Sequence, residues 1–547
     1  MDRNTLLAFL LIAIVLIFTP KYMEMVAPIP PQQEQLTEEK ITETKPSSDN
    51  TITKTPKPKP VVPVAISTVE EEKITLENGL YTAVVSSRGG GSIESIKYKK
   101  YFKHDSAQVD LINGINKENL LIQYKNLDGD NVDLSIPWVV SSNIKSGFFT
   151  EPTTLSFSTE TGITKSLTFH PDSYLIDIKT DLSRVSDQVF SGVYSIGWNG
   201  GLTTTEQNEI DDQVYFNSFV YLGGELEELK VKNGKTDAVS FNGAADWVAI
   251  RTKYFLASLI PGESSRPVSS ALSGQNTERE VYNMSLSFTS SSPTDISMYL
   301  GPLEYDRVKS VGRELDRVMN FGWGFIRPIS KAVLYVLKSM KNYIPNYGFI
   351  LIIFAVVVKL LVYPLTKKSY QSTAAMQKVQ PEITALREKY KNNPNKLNQA
   401  TMELYKTRGV NPLGGCLPML LQMPLLFALF VVFRTTIELR AEPFVWWIKD
   451  LSVPDAVFTL PFNIPIYGSH VAILPMLMVV SMFIQQRMMS GGAAQQPQQK
   501  MMQYFMTGFF FLMFNTFPSG LNLYYTLFNV LTIAQQKLIP PTESIAA

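Results

Sequence analysis

The residue type least expected in its surroundings is a lysine. Lys359 interrupts the apolar run Tyr347–Thr366 and stands eight residues before Lys367. At ~1.5 Å of helix rise per residue, that is about 12 Å deeper than the basic end of the run. A lysine stem can snorkel part of that distance. A charge held at such depth still costs about 2.5–3.5 kcal/mol, so it belongs against a bundle interior or a water-filled cavity. A lipid-facing, snorkelling lysine is the competing reading. Gln422, Asn522, Asn529, Gln535 and Gln536 place further polar groups in other apolar runs, with Tyr525 among them. Together they predict a wet intramembrane cavity, although each alone equally suits a helix–helix hydrogen bond.

Conventional reactive groups are sparse. The chain has one Cys, Cys416, and three His: His104, His170 and His470. That excludes a disulfide framework and a thiolate metal site. Without an H-E-x-x-H pair or a G-x-x-x-x-G-K-[ST] run, metal chemistry and P-loop nucleotide hydrolysis are disfavoured. Ser469 and His470 are adjacent, which is a poor nucleophile–base arrangement. No repeated halves argue for a secondary transporter. The expectation is no enzyme, no cofactor and no metal.

The elements that must position Lys359 follow from charge and periodicity. The 547 residues carry 50 Lys+Arg against 49 Asp+Glu, but residues 21–320 sum to −11 and residues 321–547 to +12. Such asymmetry suggests two environments. Charged residues are only 18% of the chain, against about 25% in ordinary soluble proteins. Leu6 to Phe18 is unbroken apolar sequence. Extended to residue 23 it makes a marginal span and is read as an uncleaved anchor, with a cleaved signal peptide as the alternative. Residues 24–73, including TKTPKPKPVVP, form a stiff linker. Residues 74–320 contain short alternating stretches such as SYLIDIKTDL and VYNMSLSFT, separated by turn residues. They predict an antiparallel β-sandwich whose negative charge suits the periplasmic side. In residues 321–346, Ile326, Ile329, Val333, Val336, Leu337 and Met340 recur at helical spacing among Arg327, Lys331, Lys338 and Lys341. This reads as an amphipathic helix in the membrane interface, or else one packed on the sandwich.

The remaining apolar runs are 347–366, 417–437, 466–487, 501–517 and 521–538. With the N-terminal anchor they give six transmembrane helices. Pro364, Pro418, Pro424 and Pro475 interrupt them, which membrane helices tolerate. The segment between the first two of these runs carries nine Lys+Arg against three Glu over residues 365–416. That places residues 367–416 in the cytoplasm. The segment 438–465 is acidic and bears Trp446 and Trp447, so it lies outside. Residues 488–500 and the tail 539–547 then lie inside, as do both termini. Within the basic segment Met376, Val379, Ile383, Leu386 and Tyr390 follow a three-four repeat. Asn392-Asn393-Pro394 breaks it, and Leu397, Thr401 and Leu404 resume it. A cytoplasmic helical hairpin follows. Its basic residues Lys378, Arg387, Lys389, Lys391, Lys396, Lys406 and Arg408 suit RNA-rich or acidic partners, or merely solvate a coiled coil. Fifteen of the 20 Met lie at or beyond residue 319, and Met-rich surfaces accept apolar partners of many shapes.

Five stretches carry a resemblance. KLLVYPLTKKSYQSTAAM, VQPEITALREKY, LYKTRGVNPLGGCLPMLLQMPLLFALF, ELRAEPFVWWIKDLS and FPSGLNLYYTLFNVLTIAQQ cover most of residues 347–538 in order. They resemble the YidC, oxidase-assembly and Albino family of membrane protein insertases. The anchor, the sandwich and WVAIRTKYFLASLIP resemble its Gram-negative form. The resemblance implies a hydrophilic groove open to cytoplasm and lipid and closed outside, with a positive residue in its first core span. Most members place Arg there, and this chain has Lys359. Candidate groove walls are Gln422, Asn522, Tyr525 and Asn529. Candidate client contacts are Met423, Pro424, Leu426, Phe427 and Met506. The implied partners are nascent membrane proteins, the Sec translocon, the ribosome and signal recognition particle pathway, and the phospholipid bilayer of the bacterial inner membrane. Members often end in a basic tail that helps hold ribosomes, whereas this chain ends QQKLIPPTESIAA. The alternative function is a non-catalytic chaperone acting only downstream of Sec. A sugar-modifying outer domain is a third reading, because the family sandwich resembles sugar epimerase folds, with His104 and His170 as its only candidates.

Overall fold

Period-two sequence gives way to helical spacing near Tyr305, and the architecture changes with it. The computed structural model describes residues 69–538 apart from 113–118, 143, 145, 392, 411–416, 465–466 and 490–496. The expected anchor 1–23, most of the linker and the tail 539–547 lie outside the described residues.

Strands Leu175–Asp181 and Glu280–Thr289 bury every second residue, as a sheet covered on one face requires. Ala245–Arg251 and Phe255–Pro261 are buried on both faces, which explains the continuous apolar sequence of WVAIRTKYFLASLIP. These two strands lie inside a nine-stranded sheet. A five-stranded sheet containing Ser269–Asn276 and Glu280–Thr289 packs on its strands Asn217–Leu222 and Ala245–Arg251. A second five-stranded sheet contains Ser92–Phe102, whose Tyr98 ring lies 5.5 Å from that of Phe255. The Tyr98 hydroxyl donates to the Leu300 carbonyl at 3.0 Å. The β-rich domain therefore has three main sheets rather than the two of a simple sandwich. One strand pair, Leu76 with Gly147, is parallel.

The described helices are α1 (Glu209–Gln213), α2 (Tyr305–Ser310), α3 (Arg327–Lys341), α4 (Tyr347–Lys389), α5 (Pro394–Thr407), α6 (Leu417–Thr435), α7 (Ile473–Met489), α8 (Pro497–Phe514) and α9 (Ser519–Leu538). Three depart from the expected boundaries. First, α4 runs through Pro364 and Pro381 without a break, so span and hairpin arm are one helix. Asn346 starts it by accepting from the N–H groups of Gly348 and Phe349, an N-cap. Second, the run expected as a span from 466 becomes helical only at Ile473, and Gly468–Ala472 is a strand paired with Ala456–Ile464. The Asp455 carboxylate decides this boundary by accepting from the N–H groups of Ile473 at 3.1 Å and Leu474 at 2.8 Å. Pro475 then falls in the first turn, where a missing N–H is harmless. Third, α3 buries Ser330, Val333, Leu334 and Leu337 and packs on α6 and α4, while Val336 is exposed. Its lysines reach acids on both sides: Lys331 to Asp316, Lys338 to Asp306 and Glu438, and Lys341 to Glu442.

Among the described residues, one helix segment, Tyr347–Pro364, is long and apolar enough by itself to cross a membrane. Gln422–Thr435, Ile473–Met488 and Tyr504–Phe514 are shorter apolar stretches.

Candidate functional site

On α9, Asn529, Thr532 and Gln535 stand three residues apart and are all buried. That spacing sets polar groups on one helix face. Lys359 of α4 meets this face. Its side chain is 6% exposed, and Nζ donates to Thr532 Oγ1 at 2.7 Å. Thr532 in turn donates to the Phe528 carbonyl at 2.7 Å. The ammonium lies 4.4 Å from the Phe528 ring centroid and 5.9 Å from that of Tyr370, close enough for cation–π attraction. No carboxylate pairs with it among the described residues. Lysine has three donors, and one hydroxyl is its hydrogen-bonding partner. Seven residues further along α4, Thr366 Oγ1 accepts from Gln535 Nε2 at 3.0 Å. Asn529 Nδ2 donates to Ser481 Oγ of α7 at 3.1 Å. Polar side chains thus link α4, α9 and α7 where three apolar helices would otherwise meet.

The same face has hydrogen-bonding capacity to spare. Gln535 Oε1, Gln536 Nε2 and the Tyr525 hydroxyl are buried without a partner. Gln422 lies beside Tyr524. Each buried polar group left unmet costs about 1–3 kcal/mol. The arrangement can therefore receive polar or anionic groups: a cation without a carboxylate partner among the described residues, on a helix face where Gln535 Oε1 and Gln536 Nε2 are unmet.

The expected residues divide into three sets. Lys359, Asn529, Gln422 and Tyr525 contribute to this polar region. Asn522 donates its amide to the carbonyls of Phe514 and Phe517 at 3.1 and 3.3 Å, tying the α8–α9 turn together, while its Oδ1 is buried without a partner. Of the client-contact candidates, Met423 is exposed, and Pro424, Leu426, Phe427 and Met506 are half-buried. The Phe427 ring lies 5.9 Å from that of Trp323. Among the basic candidates Lys378, Lys389, Lys391, Lys396, Lys406 and Arg408 are exposed and Arg387 is half-buried. Arg408 pairs with Glu382 at 2.9 Å. These cations lie on α4 and α5 or just beyond their ends, and a small core of Val379, Ile383 and Val410 with Met376 and Leu404 against it joins the two. His170 is engaged with Asp177 at 2.8 Å.

Sequence reasoning missed Thr532, Thr366 and Ser481. The three-residue spacing from Asn529 to Thr532 to Gln535 was the available signal. It also missed an ionic clamp at the end of α6. Arg434 Nη2 donates to Asp211 Oδ1 at 2.5 Å, Lys253 Nζ to Asp211 Oδ2 at 2.7 Å, and Arg440 Nε to Glu206 Oε1 at 2.8 Å. Burial pushes the Asp211 carboxyl up, but Lys253 and Arg434 outweigh it and hold it below the usual range. At the adjacent Asp212 burial outweighs the hydrogen bonds from the Thr205 and Lys253 N–H groups and raises the carboxyl to about 6.

Residues 73–333 match the family model described as YidC periplasmic domain, and residues 339–544 match the 60Kd inner membrane protein model. The membrane protein insertase YidC of Chlorobaculum parvum is 36% identical over 567 aligned residues, covering 100% of this chain and 95% of that protein. Its counterpart from Chlorobium luteolum is 37% identical over 494 residues, covering 87% and 84%. The solved structure of an active YidC insertase, with its first transmembrane domain resolved, covers 87% of this chain and 94% of that one at 17% identity and a TM-score of 0.36. The chain belongs to the YidC family of membrane protein insertases. It is a membrane protein with a β-rich periplasmic domain followed by a helical region.

Proposed function

We propose that the polar region around Lys359 is the groove through which this chain inserts nascent inner-membrane proteins and helps them fold, alone or with the Sec translocon. The observation that carries this reading is a buried lysine with no carboxylate partner among the described residues, on a polar helix face with unmet amide atoms. The groove draws in the polar flank or short acidic outer segment of a client. Its walls lower the cost of bringing polar groups partway across. The client's apolar segment then passes Met423, Leu426 and Phe427 into lipid, driven by ~25 cal/mol per Å² of apolar surface withdrawn from water. No nucleotide is consumed.

In this reading the chain spans the membrane six times, counting residues 1–23. The β-rich domain lies in the periplasm, and both termini and the hairpin of α4 and α5 lie in the cytoplasm. The positive charge of residues 365–416 supports that orientation. The hairpin's exposed cations suit the ribosome and the signal recognition particle pathway.

The test is insertion into vesicles of pure lipid containing this chain and no Sec component. A single-span client with a short acidic outer segment is expected to become protected from added protease. A requirement for Sec would replace this reading with that of a downstream chaperone.

A further inference from the structure

Between α6 and α7 the chain forms a two-stranded hairpin, Ala456–Ile464 paired with Gly468–Ala472. From Ala456 to Gln486 there is no Asp, Glu, Lys or Arg. A hairpin in water normally covers one face and charges the other, and it guards its edges with charge. This one does neither. Phe458 is 61% exposed, Phe462 is 60% exposed, and Val457 beside them is exposed as well.

The hairpin is nevertheless firmly mounted. Asn515, fully buried at the end of α8, donates to the carbonyls of Tyr467 and His470 and accepts from the Ala472 N–H. His470 Nε2 meets the Asn515 carbonyl at 2.8 Å. The hairpin's histidine thus serves in its mounting. The second strand runs directly into the apolar helix α7. Just before the first strand, Asp455 caps α7 and accepts from Trp447 Nε1 at 3.0 Å. Trp446 stacks on Trp447 at 5.7 Å and is 86% exposed. Tryptophan concentrates at the membrane–water boundary, so this pair marks the level at which α7 leaves the bilayer.

We propose that the hairpin lies on the outer leaflet, with Val457, Phe458 and Phe462 seated at the boundary between headgroups and acyl chains. The occupant of its apolar face is lipid. Three observations converge on that choice: the charge-free sequence, the continuity with α7, and the tryptophan pair at the same helix end. The depth is bounded by the backbone. An open strand edge cannot enter hydrocarbon, where its N–H and C=O groups would find no partner. The hairpin therefore lies along the surface, about 5–10 Å deep, as interfacial segments do. Such a seat would fix the tilt of α7, whose Ser481 holds Asn529 of the groove. The proposal rests on the reading that α7 spans the membrane.

The experiment uses the full chain with Cys416→Ser, reconstituted in phosphatidylethanolamine–phosphatidylglycerol vesicles. Single cysteines at Phe458, Phe462, Val480 on α7 and Lys232 on the β-rich domain carry an environment-sensitive fluorophore. Quenching is read with iodide and with lipids spin-labelled near the headgroup or near the chain end. Positions 458 and 462 are expected to be quenched most by the shallow spin label, Val480→Cys by the deep one, and Lys232→Cys by iodide. If positions 458 and 462 follow Lys232→Cys while Val480→Cys reports lipid, the hairpin proposal falls and the membrane reading stands. If Val480→Cys also reports water, the membrane reading falls and the proposal with it. Shielding of position 462 that disappears when the protein is diluted in lipid would assign the face to a second copy and overturn the lipid seat.

Discussion

Of the buried lysines, two have surroundings that could hardly differ more. Lys165, in the β-rich domain, is 1% exposed. Its Nζ donates to the Leu120 carbonyl at 2.6 Å and the Gly89 carbonyl at 3.1 Å. Both acceptors are backbone groups held by the fold. Lys359 has one hydroxyl and an aromatic face. Lys165 pins two loops to a strand, and nothing in its shell can leave without local unfolding. Lys359 has a partner that a better acceptor can replace. A client carboxylate is such an acceptor, because hydrogen bonds between charged groups are roughly twice as strong as neutral ones. On the proposed reading, burial alone does not mark the groove lysine; an exchangeable partner does.

The sharpest way to break this comparison is to remove the charge at 359. Lys359→Ala should lower insertion of a client with an acidic outer segment about tenfold, which corresponds to roughly 1.4 kcal/mol of lost attraction. A client with a neutral outer segment should lose far less, and Lys359→Arg should restore both, since the charge persists. Protease protection of the outer segment provides the readout. Equal losses for the two clients would mean that Lys359 only supports the packing of α4 against α9.

Between these extremes stand the paired charges of the clamp. Asp211→Asn would leave Lys253, which is 3% exposed, and Arg434 without a carboxylate. Breaking one side of a fully buried pair costs about 3–5 kcal/mol. Asp211 and Arg434 retain some water, so a loss of about 2 kcal/mol is expected. Thermal unfolding in detergent measures it. In a double-mutant cycle with Arg434→Gln, the two losses should sum to more than the loss in the double variant. Strict additivity would show that the clamp does not couple the β-rich domain to α6.

Much of this layout was legible in the sequence, and the exceptions have physical causes. Lys359 was conspicuous because a charge in an apolar run is costly wherever it points. Its partner Thr532 was not, because the rotation of α9 about its axis depends on tertiary packing. The clamp joins residues 211 and 434, and no local pattern links positions so distant. Residues 468–472 read as helix in the sequence because a short apolar run without charges fits strand and helix equally. Asp455 settles the matter from eighteen residues before Ile473, by capping the helix where the strand ends. Asn522 also ties the α8–α9 turn together, a task that only its hydrogen bonds reveal. The third sheet escaped for a similar reason: alternation announces strands but not how they are shared among layers.

The gentlest test concerns Lys165, and it turns on sign. Burial lowers its folded-state pKa from 10.5 to about 7, whereas the unfolded chain keeps the ordinary value of about 10.4. Between those values the unfolded state holds a proton that the folded state lacks. Stability must therefore rise with pH across that window, by at most about 1.4 kcal/mol per unit from this residue, and its contribution must stop changing below about pH 7. Lys165→Met removes the titration while keeping most of the stem's volume. It also strips the Gly89 and Leu120 carbonyls of their donor, costing about 1–3 kcal/mol at neutral pH. Denaturant unfolding at pH 7.5 and 9.5 isolates the titration: the variant's stability should rise less with pH than that of the unaltered chain. Parallel pH dependences would mean that Lys165 stays protonated in the fold. Its two carbonyls would then hold a full charge in the β-rich domain, and the contrast with Lys359 would rest on exchangeability alone.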